Sequence, residues 1–222
     1  MDLEFGFIIV LGFVSLIYLI TLFFKPSLFQ FVLKGILIPL ILAVYLTGAK
    51  VLLVPIILAL VFAWIGDILL IKISNLVCFR LGLASFLLGH ICYIAAMFGF
   101  GRPFNIPALI ISVAAGAILG FFIFKIVKPT KEMKIPVIAY EAIIITMAIF
   151  ALQLFLAQET SLQNAQISYF GILVLAGSIC FVASDTSLAL VTFRNKPYYV
   201  FCMATYIAAQ LLITLGFCMV AA

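Results

Sequence analysis

Apolar stretches of about twenty residues recur along this chain, separated by short clusters of Pro, Gly and charge. At about 1.5 Å per helical residue, such a stretch crosses the roughly 30 Å hydrocarbon core of a bilayer. Eight fit, near 5–24, 31–47, 50–72, 79–99, 105–126, 134–157, 167–193 and 198–220. Lys25-Pro26 closes the first, Gly101-Arg102-Pro103 follows the fourth, and Lys128-Pro129 ends the fifth. Pro39 and Pro55 fall inside the second and third stretches and are expected to kink them, which neighbouring helices tolerate in a membrane. The pattern predicts an all-α polytopic membrane protein, a single bundle over residues 1–222 with no room for a soluble domain. The first stretch lacks a basic leader and a small-residue cleavage site, so it is read as a retained span.

Composition agrees. The chain is 68% hydrophobic and 9% charged, against about 25% charged in a soluble domain. The net charge of +5 does not point to nucleic acid, because its basic residues sit at helix ends. Ten of the twelve gather on one side: Lys25, Lys34, Lys72, Arg80, Lys125, Lys128, Lys131, Lys134, Arg194 and Lys196. The other side carries Lys50 and Arg102 with Asp2, Glu4 and Glu159. The positive-inside rule then puts the basic loops in the cytoplasm and both termini outside, in the cell (inner) membrane. Cys78, Cys92, Cys180, Cys202 and Cys218 lie in or beside apolar spans without CxxC spacing, and are expected to be packing residues.

A weak repeat runs through the chain as a 4+4 pattern. Gly66-Asp67-Ile68-Leu69-Leu70 parallels Ser184-Asp185-Thr186-Ser187-Leu188, and Tyr93-Ile94-Ala95-Ala96 parallels Tyr206-Ile207-Ala208-Ala209. Four spans separate the copies, as a parallel duplication requires; coincidence between Ala-rich helices is the alternative.

Chemistry has few carriers. A carboxylate inside hydrocarbon costs at least about 2.5–3.5 kcal/mol, so it should face the interior and serve a purpose. Asp67, Glu141 and Asp185 qualify. Counting about 1.5 Å per residue from Lys72, Lys134 and Arg194 puts them roughly 7, 10 and 13 Å into the bilayer from the basic side. His90 lies roughly 15 Å from Arg80 on the same measure. Four helices thus bring ionisable groups to one layer, although isolated helix–helix hydrogen bonds would account for some of them. Ser85, Tyr93, Tyr140, Ser184, Tyr206 and Gln210 could line a cavity there or simply join helices. No GxSxG elbow is present, and one histidine excludes a three-histidine zinc site. A carboxylate-only Mg²⁺ or Ca²⁺ site from the three acids is conceivable but disfavoured, so no metal or cofactor is expected. Gly116-x-x-x-Gly120 is a close-packing motif without assigned chemistry.

Phe62-Ala63-Trp64-Ile65-Gly66-Asp67-Ile68-Leu69-Leu70, then Gly82-Leu83-Ala84-Ser85-Phe86-Leu87-Leu88-Gly89-His90-Ile91-Cys92-Tyr93, then Phe181-Val182-Ala183-Ser184-Asp185, resemble the YhhN (lysoplasmalogenase-type) family. The resemblance continues through Phe193 and from Tyr206 to Gln210-Leu211-Leu212-Ile213; the first two spans match only in hydropathy, and Glu141 has no place in the pattern. It implies cleavage of the sn-1 vinyl ether of lysoplasmalogens to a fatty aldehyde and glycerophosphoethanolamine or glycerophosphocholine. Asp67 and Asp185 are its implied catalytic pair. The substrate is then a lysophospholipid drawn from the membrane, and no obligate protein partner is inferred. Protonating the vinyl β-carbon gives an oxocarbenium ion that water captures, work comparable to that of paired carboxylates at glycosidic bonds. One aspartate should hold the proton, while the other stays ionised if His90, Tyr93 or a water donates to it. The phosphate could meet Lys72, Arg80 or Arg194 at the cytoplasmic rim. A small proton-coupled transporter or lipid-binding protein is the rival, since intramembrane carboxylates and repeats mark those too.

Overall fold

The computed structural model describes residues 3–72, 75–99, 105–159 and 165–219. Over them the chain forms eight helices and no strand: α1 (Leu3–Thr21), α2 (Leu28–Gly48), α3 (Val54–Leu69), α4 (Leu76–Phe98), α5 (Ile106–Val127), α6 (Lys134–Glu159), α7 (Ala165–Arg194) and α8 (Tyr199–Cys218). Each is long and apolar enough to cross a membrane. Asp2 and Arg102, placed on the less basic side by the sequence, lie outside the described residues.

The helix ends follow from local chemistry. Ser27 Oγ accepts from the Gln30 amide at 3.3 Å to start α2. Asn75 Oδ1 takes the amides of Val77 at 2.9 Å and Cys78 at 3.1 Å to start α4, and Asn105 takes Ala108 at 3.0 Å to start α5. These side chains satisfy amides that have no partner in the first turn. At the other end of α5, Lys128 turns left-handed (φ 49°) and Pro129 prevents continuation.

Two expectations about local structure need correction. Pro55 does not kink α3: the helix begins at Val54, and Pro55 occupies its first turn, where no amide hydrogen is needed. Pro39 does lie within α2. Lys34 is not a rim cation either. It sits six residues into α2, is 5% exposed, and points into the bundle.

The tightest pairings are α3 with α4 and α7 with α8. Small residues permit them. A Cβ on Gly89 would come within 3.2 Å of the Ala59 carbonyl oxygen, and one on Gly177 within 3.0 Å of the Ala209 carbonyl oxygen. Close backbone approach of this kind replaces the hydrophobic drive that lipid does not provide. Ser85 adds a 2.6 Å bond from α4 to the Phe62 carbonyl of α3, and Ser184 a 3.1 Å bond from α7 to the Cys202 carbonyl of α8. Helices α1 and α5 are peripheral, with most of their large side chains facing outward. Polar groups gather between α2, α3, α4, α6, α7 and α8.

Candidate active site

Asp67, on the last full turn of α3, is 3% exposed and held by two donors. The Lys34 ammonium stands 3.4 Å from Oδ1, and the Tyr206 hydroxyl donates to Oδ2 at 2.8 Å. A buried ion pair survives only when its remaining valences are also satisfied. On the carboxylate side the network continues: Gln210 Nε2 donates to the Tyr206 oxygen at 3.4 Å, and Tyr93 donates to Gln210 Oε1 at 2.5 Å. One polar chain therefore runs Lys34–Asp67–Tyr206–Gln210–Tyr93 through α2, α3, α8 and α4.

Asp185 on α7 is placed differently. Its Oδ2 accepts from the Tyr140 hydroxyl of α6 at 2.5 Å, its side chain is 15% exposed, and no Lys or Arg pairs with it among the described residues. Its other carboxyl oxygen has no hydrogen-bond partner there. His90 Nε2 lies 3.9 Å from Oδ2, beyond hydrogen-bond reach. The His90 Nδ1 faces the Phe86 carbonyl at 2.7 Å. A carbonyl can only accept, so Nδ1 carries the hydrogen and Nε2 presents a lone pair.

Donors to the aspartates thus differ from those expected. His90 gives its proton to the backbone and Tyr93 to Gln210, leaving Lys34, Tyr206 and Tyr140 as the groups that hold the carboxylates. Ser184 binds backbone but still lines the space between them.

That space is a narrow cavity of ≈ 20 Å³, measured as volume open to the centre of a water molecule, and bordered by Lys34, Asp67, Ser184, Asp185, Cys202 and Tyr206. It has room for about one water. Phe86 borders it, edge-on to Tyr206 with centroids 5.8 Å apart, and Phe181 packs against the neighbouring rings, His90 at 4.9 Å and Tyr206 at 6.0 Å. On the far side of Asp185, a second cavity of ≈ 40 Å³ is bordered by Tyr140, Glu141, Asp185 and Thr186. Glu141 reaches this space from α6, with a shielded Oε1 that has no hydrogen-bond partner.

A model of the YhhN family matches residues 29–217. The chain belongs to that family. No curated protein and no solved structure matches it.

The YhhN match takes in every side chain of this site, Lys34 to Gln210, and leaves out α1. It begins in α2, whose resemblance to the family in the sequence is one of hydropathy alone. Among the described residues no group of three or more His, Cys, Asp or Glu side chains is close enough to hold a metal ion. Asp67 and Asp185 share one cavity and Asp185 and Glu141 another, but the three acids do not converge on one point.

At the rim, Lys72 and Arg194 are exposed, and Arg80 lies 3.6 Å from Glu132, a solvent-facing pair. The main residue missed from sequence is Lys34. A signal was present, since a lysine inside the apolar run of α2 falls under the same rule that singled out the acids. Phe181, which packs against His90, Tyr93 and Tyr206, was visible only as part of the motif that ends in Ser184-Asp185.

Proposed function

We propose that this YhhN protein is a membrane-embedded hydrolase that opens the vinyl ether of lysoplasmalogens, with Asp185 as proton donor and Asp67 as the ionised partner. The observation that carries the reading is the unequal treatment of two aspartates on one cavity. Asp67 faces an ammonium and a hydroxyl, which favour the carboxylate. Asp185 accepts from a single neutral hydroxyl and has an oxygen left to carry a hydrogen. Two carboxyl groups whose surroundings drive them to opposite charge states form the usual acid and base assignment.

The steps balance. Asp185 gives its proton to the β-carbon of the vinyl ether, leaving an oxocarbenium ion that Asp67 faces. Water attacks the α-carbon and loses a proton to Asp67, forming a hemiacetal. Asp67 returns that proton to the ether oxygen as the carbon–oxygen bond breaks, and the hemiacetal hydroxyl restores the proton of Asp185. The products are a fatty aldehyde and a glycerophospholipid headgroup with a free sn-1 hydroxyl. His90, with its hydrogen turned to the backbone, donates nothing to Asp185 and packs edge-on to Tyr140 at 5.5 Å.

The test is purified protein in detergent, offered a lysoplasmalogen and its acyl-ester analogue in D₂O. Aldehyde should appear from the first alone, with deuterium on the carbon beside the carbonyl when it is trapped at once. No aldehyde in detergent favours the transporter or lipid-binding reading, since transport needs a sealed membrane and hydrolysis does not. Aldehyde without deuterium on that carbon overturns carbon protonation.

A further inference from the structure

Between α5 and α6 lies a groove of ≈ 490 Å³ that the reaction scheme leaves unused. Its walls are Val113, Gly116, Ala117 and Gly120 on α5, facing Glu141 and Ile145 on α6. From Val113 to Gly120 it runs about 10 Å along the membrane normal, at 1.5 Å per residue. The volume falls within the ~300–1,000 Å³ common for ligand sites, whereas the two inner cavities hold little more than water. Packing creates it: a Cβ on Gly116 would meet Ile145 Cγ2 at 2.7 Å, so the helices touch at the glycines and part beside them.

One shared wall residue separates this groove from ordinary lipid-facing relief. Glu141 borders both the groove and the inner space that it shares with Tyr140 and Asp185. The groove is otherwise nearly all apolar, and Glu141 Oε1 is shielded from solvent with nothing bonded to it. A shielded carboxyl oxygen without a partner is costly unless a ligand supplies a donor. A single-chain lipid has one, the free sn-2 hydroxyl; a two-chain lipid has that oxygen esterified.

We infer that the α5–α6 groove seats the hydrocarbon chain of a single-chain lysolipid, and that Glu141 at its inner end accepts the lipid's sn-2 hydroxyl. The inference rests on the hydrolase reading for the direction in which the lipid lies, with its reactive end toward Asp185. The groove then sets chain preference, and Glu141 sets the preference for lysolipids over bilayer lipids.

A 1-O-alkyl lysophosphocholine with a diazirine near the chain terminus tests this, because its saturated ether cannot be hydrolysed by carbon protonation. In phosphatidylcholine nanodiscs its cross-links should map to α5 and α6 around Val113. They should be competed by unlabelled lysolipid, but about tenfold less well by the 2-O-methyl analogue or by diacyl lipid. Ala117→Phe and Ala142→Phe fill the groove from opposite walls. Each should cut the labelling and raise KM for long-chain substrate about tenfold more than for a short-chain one. Val10→Phe, on the outward face of α1, should do neither. Glu141→Leu should abolish the preference for the free hydroxyl over the methyl ether. Labelling spread evenly over the bundle, or unchanged in both Phe variants, overturns the groove. Labelling that stays in the groove and favours the hydroxyl regardless of Glu141 overturns the role of that residue. Groove labelling in a protein that releases no aldehyde keeps the site and removes the hydrolase, whereas aldehyde release with labelling elsewhere does the reverse.

Discussion

At the scale of single residues, the Lys34–Asp67 pair gives the sharpest expectation. Lys34→Met leaves a buried carboxylate alone, and breaking such a pair costs about 3–5 kcal/mol. Thermal unfolding in detergent should therefore show Lys34→Met as strongly destabilised. Lys34→Met combined with Asp67→Asn leaves no lone charge, so it should recover most of that stability while remaining inactive. A double variant no more stable than Lys34→Met would mean that Lys34 acts through packing. Asp185→Asn should remove turnover by about 10²–10⁴-fold, the usual span for a general acid, with little change in unfolding. Asn preserves shape, and its oxygen can still accept from Tyr140. Full activity in Asp185→Asn defeats the donor assignment. The acids were legible in the sequence because a carboxylate in hydrocarbon has no cheap bland explanation. Their partners were not. Tyr206 and Tyr140 were visible as polar residues, but which oxygen each one meets depends on how the helices are rotated against each other. Hydropathy does not specify that rotation.

At the scale of helices, lengths and order follow from the apolar period, and the observed ends depart from the expected ones by a few residues. The departures have local causes. Helix α2 starts early because Ser27 caps it, and α3 starts late because Pro55 belongs in a first turn. Close pairing of α3 with α4 and of α7 with α8 is the element-level feature that holds Asp67 and Asp185 in place, and glycine makes it possible. Gly177→Val should disturb the site from a distance, since its Cβ would meet Ile213 Cγ1 at 2.6 Å and the Ala209 carbonyl oxygen at 3.0 Å. Overpacking of this kind typically costs about 1–3 kcal/mol. The measurement is a lowered unfolding temperature together with lost turnover. Unchanged stability would show that α7 and α8 can move apart without cost, and would remove the rigid hairpin from the account of the site. Two serines, Ser85 and Ser184, each tie one hairpin to a backbone carbonyl. The two serines are not equivalent under the weak sequence repeat, since Ser184 stands opposite Gly66 in it and Ser85 lies on the second helix of its pair.

For the molecule as a whole, the central question is which side of the membrane the site faces. Moving Lys34 into the core takes one cation from the ten that oriented the bundle, and nine remain against Lys50 and Arg102. Only rim charges bear on insertion by the positive-inside rule, so the asymmetry keeps its sign. The site lies nearer the basic end: Asp67 is one short turn before Lys72, and Asp185 nine residues before Arg194. On the proposed hydrolase reading, and with the basic end in the cytoplasm, the glycerophospho headgroup would leave on that side, past exposed Lys72 and Arg194, while the aldehyde would stay in the bilayer. Single cysteines at Thr130 and Lys50 test this, in a chain whose native cysteines have been replaced. Both positions are exposed and stand at opposite ends of the bundle. An impermeant maleimide added to intact cells should label Lys50→Cys and spare Thr130→Cys until the membrane is opened. The reverse labelling would invert the bundle, and headgroup release and the supply of lysolipid would then both belong to the outer leaflet.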